Sequence, residues 1–576
     1  AWLADRASTD AAMAVLEEAA VLLSNPSITS DIWPRWLDLT RSPDFLAALN
    51  DDDARYRWAD LSVGAVRAGN VTLGTLLDQR TAEHPDRDYL RHATPSDGQT
   101  WTYSTVRRQV RRYAAALLSC SPRPRVALIT PNSAPGALVD LACLTHDIVV
   151  TPLAPNLDAK SLTWILERMA IDVLITGRVE QHELALRALE GHPSPPRHLV
   201  LEDVDRAPAR ATPLGELAAD LSAADVETRL AERPRLGLDD VATVMFTSGS
   251  TGMPKGVAFT MGNIVTKRFA RAAALPAVGR DEVMLCYLPL FHTFGRYLEL
   301  IGALFWGGTY VFTGSTSRDT LLAQLPIISP TGMIGIPLRW QQIHQQCLDL
   351  GEKQGSAEVG DKELRTVVGD RLRWGLSAAG YLEPRIFRFF QRHGVSLCSG
   401  FGMTEATGGI TMTPPGDYMD NSVGKPLPCI ETRLSEESEL QIRGPYVGSY
   451  IDDDPFTPDG WLPTGDIFIE HEDGHLEIVD RLKDIYKNTR GQTIAPRRVE
   501  QLFTDVPGVN RVFLVGDHRN DNVLLVVPEA DDPVLDGDPA GMKAREYLHR
   551  IITAANADLA PHERVVNFAV LNRDFD

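Results

Sequence analysis

Cysteine is scarce in this chain and scattered. Its six cysteines (Cys120, Cys143, Cys286, Cys347, Cys398 and Cys429) include no C-x-x-C pair and no metal-ligand spacing. That excludes a disulfide scaffold and a thiolate zinc site, and points to small core residues in a reducing compartment. No apolar run approaches the roughly 18 residues that span a bilayer, and no signal peptide opens the sequence. A cytoplasmic location without stable membrane insertion is therefore expected. Positive charge is also short: 57 Lys and Arg face 77 Asp and Glu, a formal net charge of -20. Such a chain repels nucleic acid and anionic membrane, so a basic residue at a phosphate site must act locally. There is no internal repeat and no low-complexity tract. Residue 1 is not Met, so a fragment of a longer protein is expected.

What is present is size and punctuation. At 576 residues with 44% hydrophobic content, several cores are affordable. Residues 1–70 are rich in Ala, Leu, Asp and Trp. Helical spacing over Ala11–Leu23 and short helices around Trp33–Leu49 predict a helical extension of unknown role. From Val71 the pattern alternates. Helices are predicted over Leu73–Glu83, Ser104–Leu118 and Ala137–Leu144, with strands at Val126–Thr130 and Ile148–Pro152. The alternation predicts a doubly wound α/β body over 71–479. A smaller α+β segment is predicted over 480–576. It holds helix Arg497–Phe503, strands Val509–Val515 and Val523–Val527, and helix Lys543–Leu559.

The densest chemistry lies in Thr247-Ser248-Gly249-Ser250-Thr251-Gly252-Met253-Pro254-Lys255-Gly256, which follows the apolar run Val241–Phe246. Glycines admit close backbone approach, hydroxyls and N–H groups donate, and the lysine brings a mobile charge, which together suit a polyphosphate. Pro254 occupies the second glycine of a Walker A loop, so this is not one. Later come Phe401-Gly402-Met403-Thr404-Glu405, the turn Trp461-Leu462-Pro463-Thr464-Gly465-Asp466, and the charged run Asp480-Arg481-Leu482-Lys483-Asp484. In order and spacing these segments resemble the core motifs of the AMP-forming adenylating superfamily. That superfamily includes acyl-CoA synthetases, luciferases and peptide-synthetase adenylation domains.

The resemblance implies a body of two α/β subdomains plus a small β-barrel, followed by a mobile carboxy-terminal lid. It also implies roles. Thr247, Ser248, Gly249, Thr251, Gly252 and Lys255 would wrap the β- and γ-phosphates of ATP. Thr404 would touch the α-phosphate, and Glu405 would bind Mg²⁺. Phe401 and Gly402 would face adenine, next to a loop of Ala378, Ala379 and Gly380. Asp466 would accept the ribose hydroxyls, Arg481 would hold ribose or phosphate, and Lys483 would be the hinge. Leu288–Glu299 is similar to the substrate motif of long-chain fatty acyl-CoA synthetases, which puts His292 beside the incoming carboxylate. Ile336-Pro337-Leu338-Arg339-Trp340 and Ile494-Ala495-Pro496 also look like that group.

The implied reaction is activation of a carboxylic, fatty acid by ATP, then transfer to a thiol, coenzyme A. Two alternatives stay open. One is an acyl-AMP ligase or carboxylic acid reductase adenylation domain that loads a carrier protein. The other is a catalytically weak acyl-nucleotide binder. Three departures bear on them. Ser377-Ala378-Ala379-Gly380-Tyr381 replaces a Gly-Gly-Ala-Pro-type loop, and the added methyls narrow the space beside it. Arg490 stands before Gly491 where the long-chain group has a glycine pair. The family's catalytic lysine, expected shortly after a segment like Phe568–Asp576, is not met before the chain stops.

Overall fold

The structure is a computed structural model that describes residues 8–25, 31–49, 51–94, 99–201, 211–247, 254–355, 359–490, 492–504, 506–529, 541–557 and 559–571. The chain divides into two compact units. The first holds Ala1–Glu431 and Arg443–Pro455; the second holds Thr432–Ile442 and Phe456–Asp576. This division in packing falls earlier than Asp480. The reason is that Leu462–Glu470 and Leu476–Arg481 form an antiparallel hairpin within a sheet of the second unit.

In the first unit, Val126, Ala127 and Ile129 in strand Arg125–Ile129 are fully buried, as a strand covered on both faces requires. It pairs in parallel with Val149–Leu153 on one side and Val173–Thr176 on the other. Strands Arg197–Val200, Thr212–Pro213, Val241–Thr247, Lys255–Thr260 and Ser449–Tyr450 extend this to eight strands. The last three pair antiparallel at one edge. A five-stranded sheet runs Gly332–Gly335, Trp374–Ala378, Ser396–Met403, Gly408–Met412 and Lys425–Pro426, parallel at first and then antiparallel. A third sheet of four strands contains Asp88–His92 and Thr309–Phe312, paired in parallel.

Predicted elements match the observed ones to within a few residues: helices Thr9–Leu23, Leu73–Glu83 and Tyr103–Leu118, and strands Val149–Leu153 and Val509–Val515. Helix Arg497–Phe503 is instead an α-helix Pro496–Glu500 that tightens into 3₁₀ at Gln501–Phe503. The longest element of the amino-terminal segment, helix Asp52–Ala68, was not predicted, although Asp51 caps it and Gly69 ends it. The segment is integral to the first unit. Trp58 packs on Phe269 at 6.1 Å between ring centroids, and buried Arg80 pairs with Asp38.

In the second unit, strands Glu431–Leu434, Glu439–Arg443, Leu462–Glu470 and Leu476–Arg481 pair in that order. The resemblance implied a small barrel within the body, residues 71–479, and that expectation is corrected, since among the described residues no sheet closes on itself. Among the described residues the sheet is open, its first and last strands do not pair, and four strands leave the edges unjoined. A three-stranded sheet of Val509–Val515, Asn522–Pro528 and Val565–Val570 packs its apolar face on Leu548 and Ile552 of helix Met542–Ala555.

Candidate functional site

The segment singled out first closes a hairpin. Thr247 pairs with Lys255 and Phe246 with Gly256, so the loop returns into a strand, and helix Met261–Ala274 follows only after Thr260. Ser248, Gly249, Thr251 and Gly252 lie outside the described residues. Thr247 Oγ1 donates to the Lys255 carbonyl at 3.4 Å. Gly256 has no room for a side chain, because a Cβ would stand 2.6 Å from Ile451 Cδ1.

Glu405 reaches the same unit from the other sheet. Strand Ser396–Met403 ends in a 3₁₀ turn Thr404–Ala406, closed by Thr407 N–H to the Thr404 carbonyl at 3.0 Å. Gly402 lets this strand lie against its neighbour, since a Cβ there would collide with the Gly408 carbonyl. Phe401 sits half-buried on the strand, its N–H donating to Thr411 Oγ1 at 3.3 Å.

Tyr450, which sequence reasoning missed, joins these parts. Strand Ser449–Tyr450 adds to the hairpin, with Tyr450 opposite Val257. Its hydroxyl donates to Glu405 Oε1, and the Gly448 N–H donates to the Glu405 carbonyl at 2.7 Å. Lys255 Nζ lies 5.7 Å from the Tyr450 ring centroid and donates to Asp453 Oδ2 at 3.1 Å. Burial, with the Glu405 bond and charge, raises the Tyr450 hydroxyl pKa, so it remains a donor. The lysine of one motif and the carboxylate of another thus meet around one ring. A lone tyrosine in the "GSY" of a loop carries no sequence signal for this.

His292 is exposed, beside Phe291 at 4.5 Å between ring centroids, and desolvation lowers its pKa. The residues after it form a π-helix, Phe294–Leu300, a geometry frequent at functional sites. Arg296 there is buried in a bidentate pair with Asp140 at 2.8 and 2.6 Å. Arg339 and Trp340 serve the fold: the first donates to the Thr316 carbonyl at 2.8 Å, and the second is buried. Ala378 ends a buried strand, while Ala379 adopts φ +67°, the left-handed region.

In the second unit, Asp466 follows Gly465, whose φ of +78° sets the turn, and pairs in register with Arg481. The Arg481 Nε stands 3.6 Å from Asp466 Oδ1, with the arginine exposed and the acid nearly buried. Desolvation raises the Asp466 pKa against the lowering effect of Arg481. Asp480, the first residue of the charged run and given no role from sequence, accepts from the Arg481 and Arg497 N–H groups, each at 2.8 Å. It thereby ties the strand end to helix Pro496–Glu500. Lys483 follows in an exposed turn, and Arg490 is exposed in another. Among the described residues no cluster of three or more His, Cys, Asp or Glu side chains forms a metal cage. No described helix is long and apolar enough to cross a membrane.

The chain is similar to known proteins along most of its length. It is 27% identical over 496 residues to the long-chain-fatty-acid–CoA ligase FadD15 of Mycobacterium bovis, covering 78% of this chain and 81% of that one. It is also 27% identical over 539 residues to the mouse (Mus musculus) long-chain-fatty-acid–CoA ligase 6, covering 83% and 75%. Its fold resembles the O-succinylbenzoate coenzyme A synthetase of Bacillus subtilis in complex with AMP (TM-score 0.66, 22% identity, 86% and 94% covered). A benzoate CoA ligase from Burkholderia xenovorans is similar in fold too (TM-score 0.70, 18% identity, 87% and 96% covered). The family described as AMP-binding enzyme matches residues 77–449, the stretch that carries the hairpin, His292, the Glu405 turn and all but the last residue of strand Ser449–Tyr450. This chain belongs to that family.

Proposed function

We propose that the protein activates a carboxylic acid with ATP and passes the acyl group to the thiol of coenzyme A. The observation that carries this reading is the convergence of Lys255 and Glu405, both inside the span that matches the AMP-binding family, on Tyr450 at its edge. A carboxylate and ATP are both anions, so catalysis rests on neutralising phosphate charge and holding the reactants in line. In the first step a carboxylate oxygen bonds to the α-phosphorus, and the bond to pyrophosphate breaks. In the second the thiol sulfur bonds to the acyl carbon, AMP leaves, and the thiol proton goes to solvent.

Lys255 swings from Asp453 to the phosphates, Thr404 donates to the α-phosphate, and His292 lies beside the incoming carboxylate. A single carboxylate such as Glu405, supplemented by phosphate and water oxygens, fits magnesium, which rarely takes an all-protein cage. When bound, that ion would withdraw charge from the phosphates. Phe401 stacks on adenine, Ala378–Gly380 wall its slot, and Asp466 with Arg481 holds ribose. Segment 480–576 moves as a lid about Lys483. A fatty acid as substrate and coenzyme A as acceptor are supported by the names of the ligases that this chain resembles.

The test is acid-dependent pyrophosphate release by the full-length protein, across fatty and aryl acids, with and without coenzyme A. Turnover that requires coenzyme A and yields acyl-CoA is the expected result. A single burst that stalls at bound acyl-adenylate would instead favour a carrier-protein acceptor, with the exposed Arg490 available to the phosphate of its pantetheine arm. No release with any acid would leave a nucleotide binder.

A further inference from the structure

Helix Met261–Ala274 carries three cations where solvent does not reach. Lys267, Arg268 and Arg271 are each at most 1% exposed. Lys267 Nζ donates to the Gly409 carbonyl and stands 3.8 Å from the Tyr446 ring centroid. Arg268 Nη1 donates to the Tyr297 carbonyl, and Arg271 Nη1 lies 3.3 Å from Met412 Sδ. Several of the arginine donors are unmet. Arg268 Nε and Nη2 and Arg271 Nε have no hydrogen-bond partner.

The charges facing these cations are one another. Besides them, the ionisable groups that act on the three are Cys429, Tyr297, Tyr446 and Cys398, none a carboxylate. Burial, and repulsion by the two arginines, push the lysine well down. The arginines, lowered to about 9 and about 10, stay cationic at neutral pH. Elsewhere the same fold supplies a buried arginine with its acid, as Arg296 has Asp140. Two buried guanidiniums with spare N–H groups are costly unless an anion completes them.

The placement of the cluster names the anion. Arg268 grips the π-helix that begins two residues after His292. Lys267 grips Gly409, the register partner of Gly402, on the strand paired with the one that runs into Thr404 and Glu405. The cations therefore line the two elements that flank the proposed reacting carboxylate.

We propose that Lys267, Arg268 and Arg271 receive a second, distal carboxylate of the acid being activated, so that the substrate class is a dicarboxylic acid. This rests on the acid-activating reading above. The test compares straight-chain α,ω-dicarboxylic acids with methyl-terminated acids of equal length, by pyrophosphate release and by the melting temperature of ATP-free protein. Expected is a preference of roughly ten- to hundredfold in kcat/KM for one diacid length, the scale of a buried charge-assisted bond. That diacid, and not its methyl-terminated partner, should raise the melting temperature. R271M should reverse the preference; because the readout is a ratio within one protein, partial unfolding does not mimic it. If R271M does not fold, the wild-type ratio decides alone. Equal use of both acid classes would overturn the proposal. So would equal protection by sodium sulfate and by the diacids, which would make the cluster a seat for a free inorganic anion. No pyrophosphate release with any acid would sink the ligase reading alone, because the melting shift needs no ATP.

Discussion

The Tyr450 hydroxyl donates to the carboxylate of Glu405, two residues 45 apart in the chain. The contact exists because strand Ser449–Tyr450 pairs with the outer strand of the hairpin, while Glu405 comes from a different sheet. It makes Tyr450 the support of the proposed magnesium ligand. Partners that hold a metal-binding carboxylate typically contribute ten- to a hundredfold in metal affinity. Y450F should therefore raise the magnesium concentration at half-maximal pyrophosphate release by about tenfold, and E405A should abolish magnesium-dependent turnover. An unchanged magnesium profile in Y450F would show that the tyrosine is only packing.

Ala379 holds φ at +67° in a loop where the resemblance expects glycine. The left-handed region costs a residue with a Cβ roughly 1–2 kcal/mol, while glycine adds about 0.4–1 kcal/mol of unfolded-state entropy. The first effect is the larger. A379G should gain about 0.5–1 kcal/mol in urea unfolding, and a loss of stability there would mean that the methyl is well packed.

Lys483 lies in an exposed turn just beyond Asp480, whose carboxylate anchors the strand end to Arg497. Rotation absorbed at one backbone position is what a hinge requires. K483P should leave adenylate formation within about twofold of the parent and stop thioester formation. Equal loss of both half-reactions, measured separately, would count against a hinge.

Buried histidines set an acid limit on stability. Burial lowers His146 from 6.5 to about 3 and His198 from 6.5 to about 4, the latter with help from His182. The unfolded chain takes up protons below about pH 6.5, and the native state does so only near those lower values. Stability is thus complete above 6.5 and falls as pH drops towards 4, by on the order of several kcal/mol in total. His198 accepts or donates at Thr176 Oγ1 over 2.8 Å. H198N keeps a polar partner there and should flatten the slope of melting temperature between pH 6.5 and 4; an unaltered slope would assign the acid lability to other groups.

Much of this protein was legible in the residues. Period and punctuation placed helices Leu73–Glu83 and Tyr103–Leu118 and the buried strand Arg125–Ile129, because amphipathic spacing and β-branched runs are local properties. Helix Asp52–Ala68 was within reach through its Asp51 cap and Gly69 end. The loop after Thr247, the Thr404–Glu405 turn and Asp466 stood out through the order and spacing of their motifs along the chain.

Other features depended on which strands pair. That Val241–Thr247 and Lys255–Thr260 form a hairpin, that Ser449–Tyr450 joins it, and that the second-unit sheet stays open are outcomes of long-range pairing. The same holds for the buried cations. In sequence Lys267, Arg268 and Arg271 look like the polar face of a helix. Helix Asp52–Ala68 on one side and strand Gly408–Met412 on the other seal them from water. The sequence by itself determined the local elements and the chemical inventory, since both follow from side chains and their near neighbours. Only the tertiary structure decided which charges lie together and which are left without a partner, since burial and pairing arise from residues hundreds of positions apart.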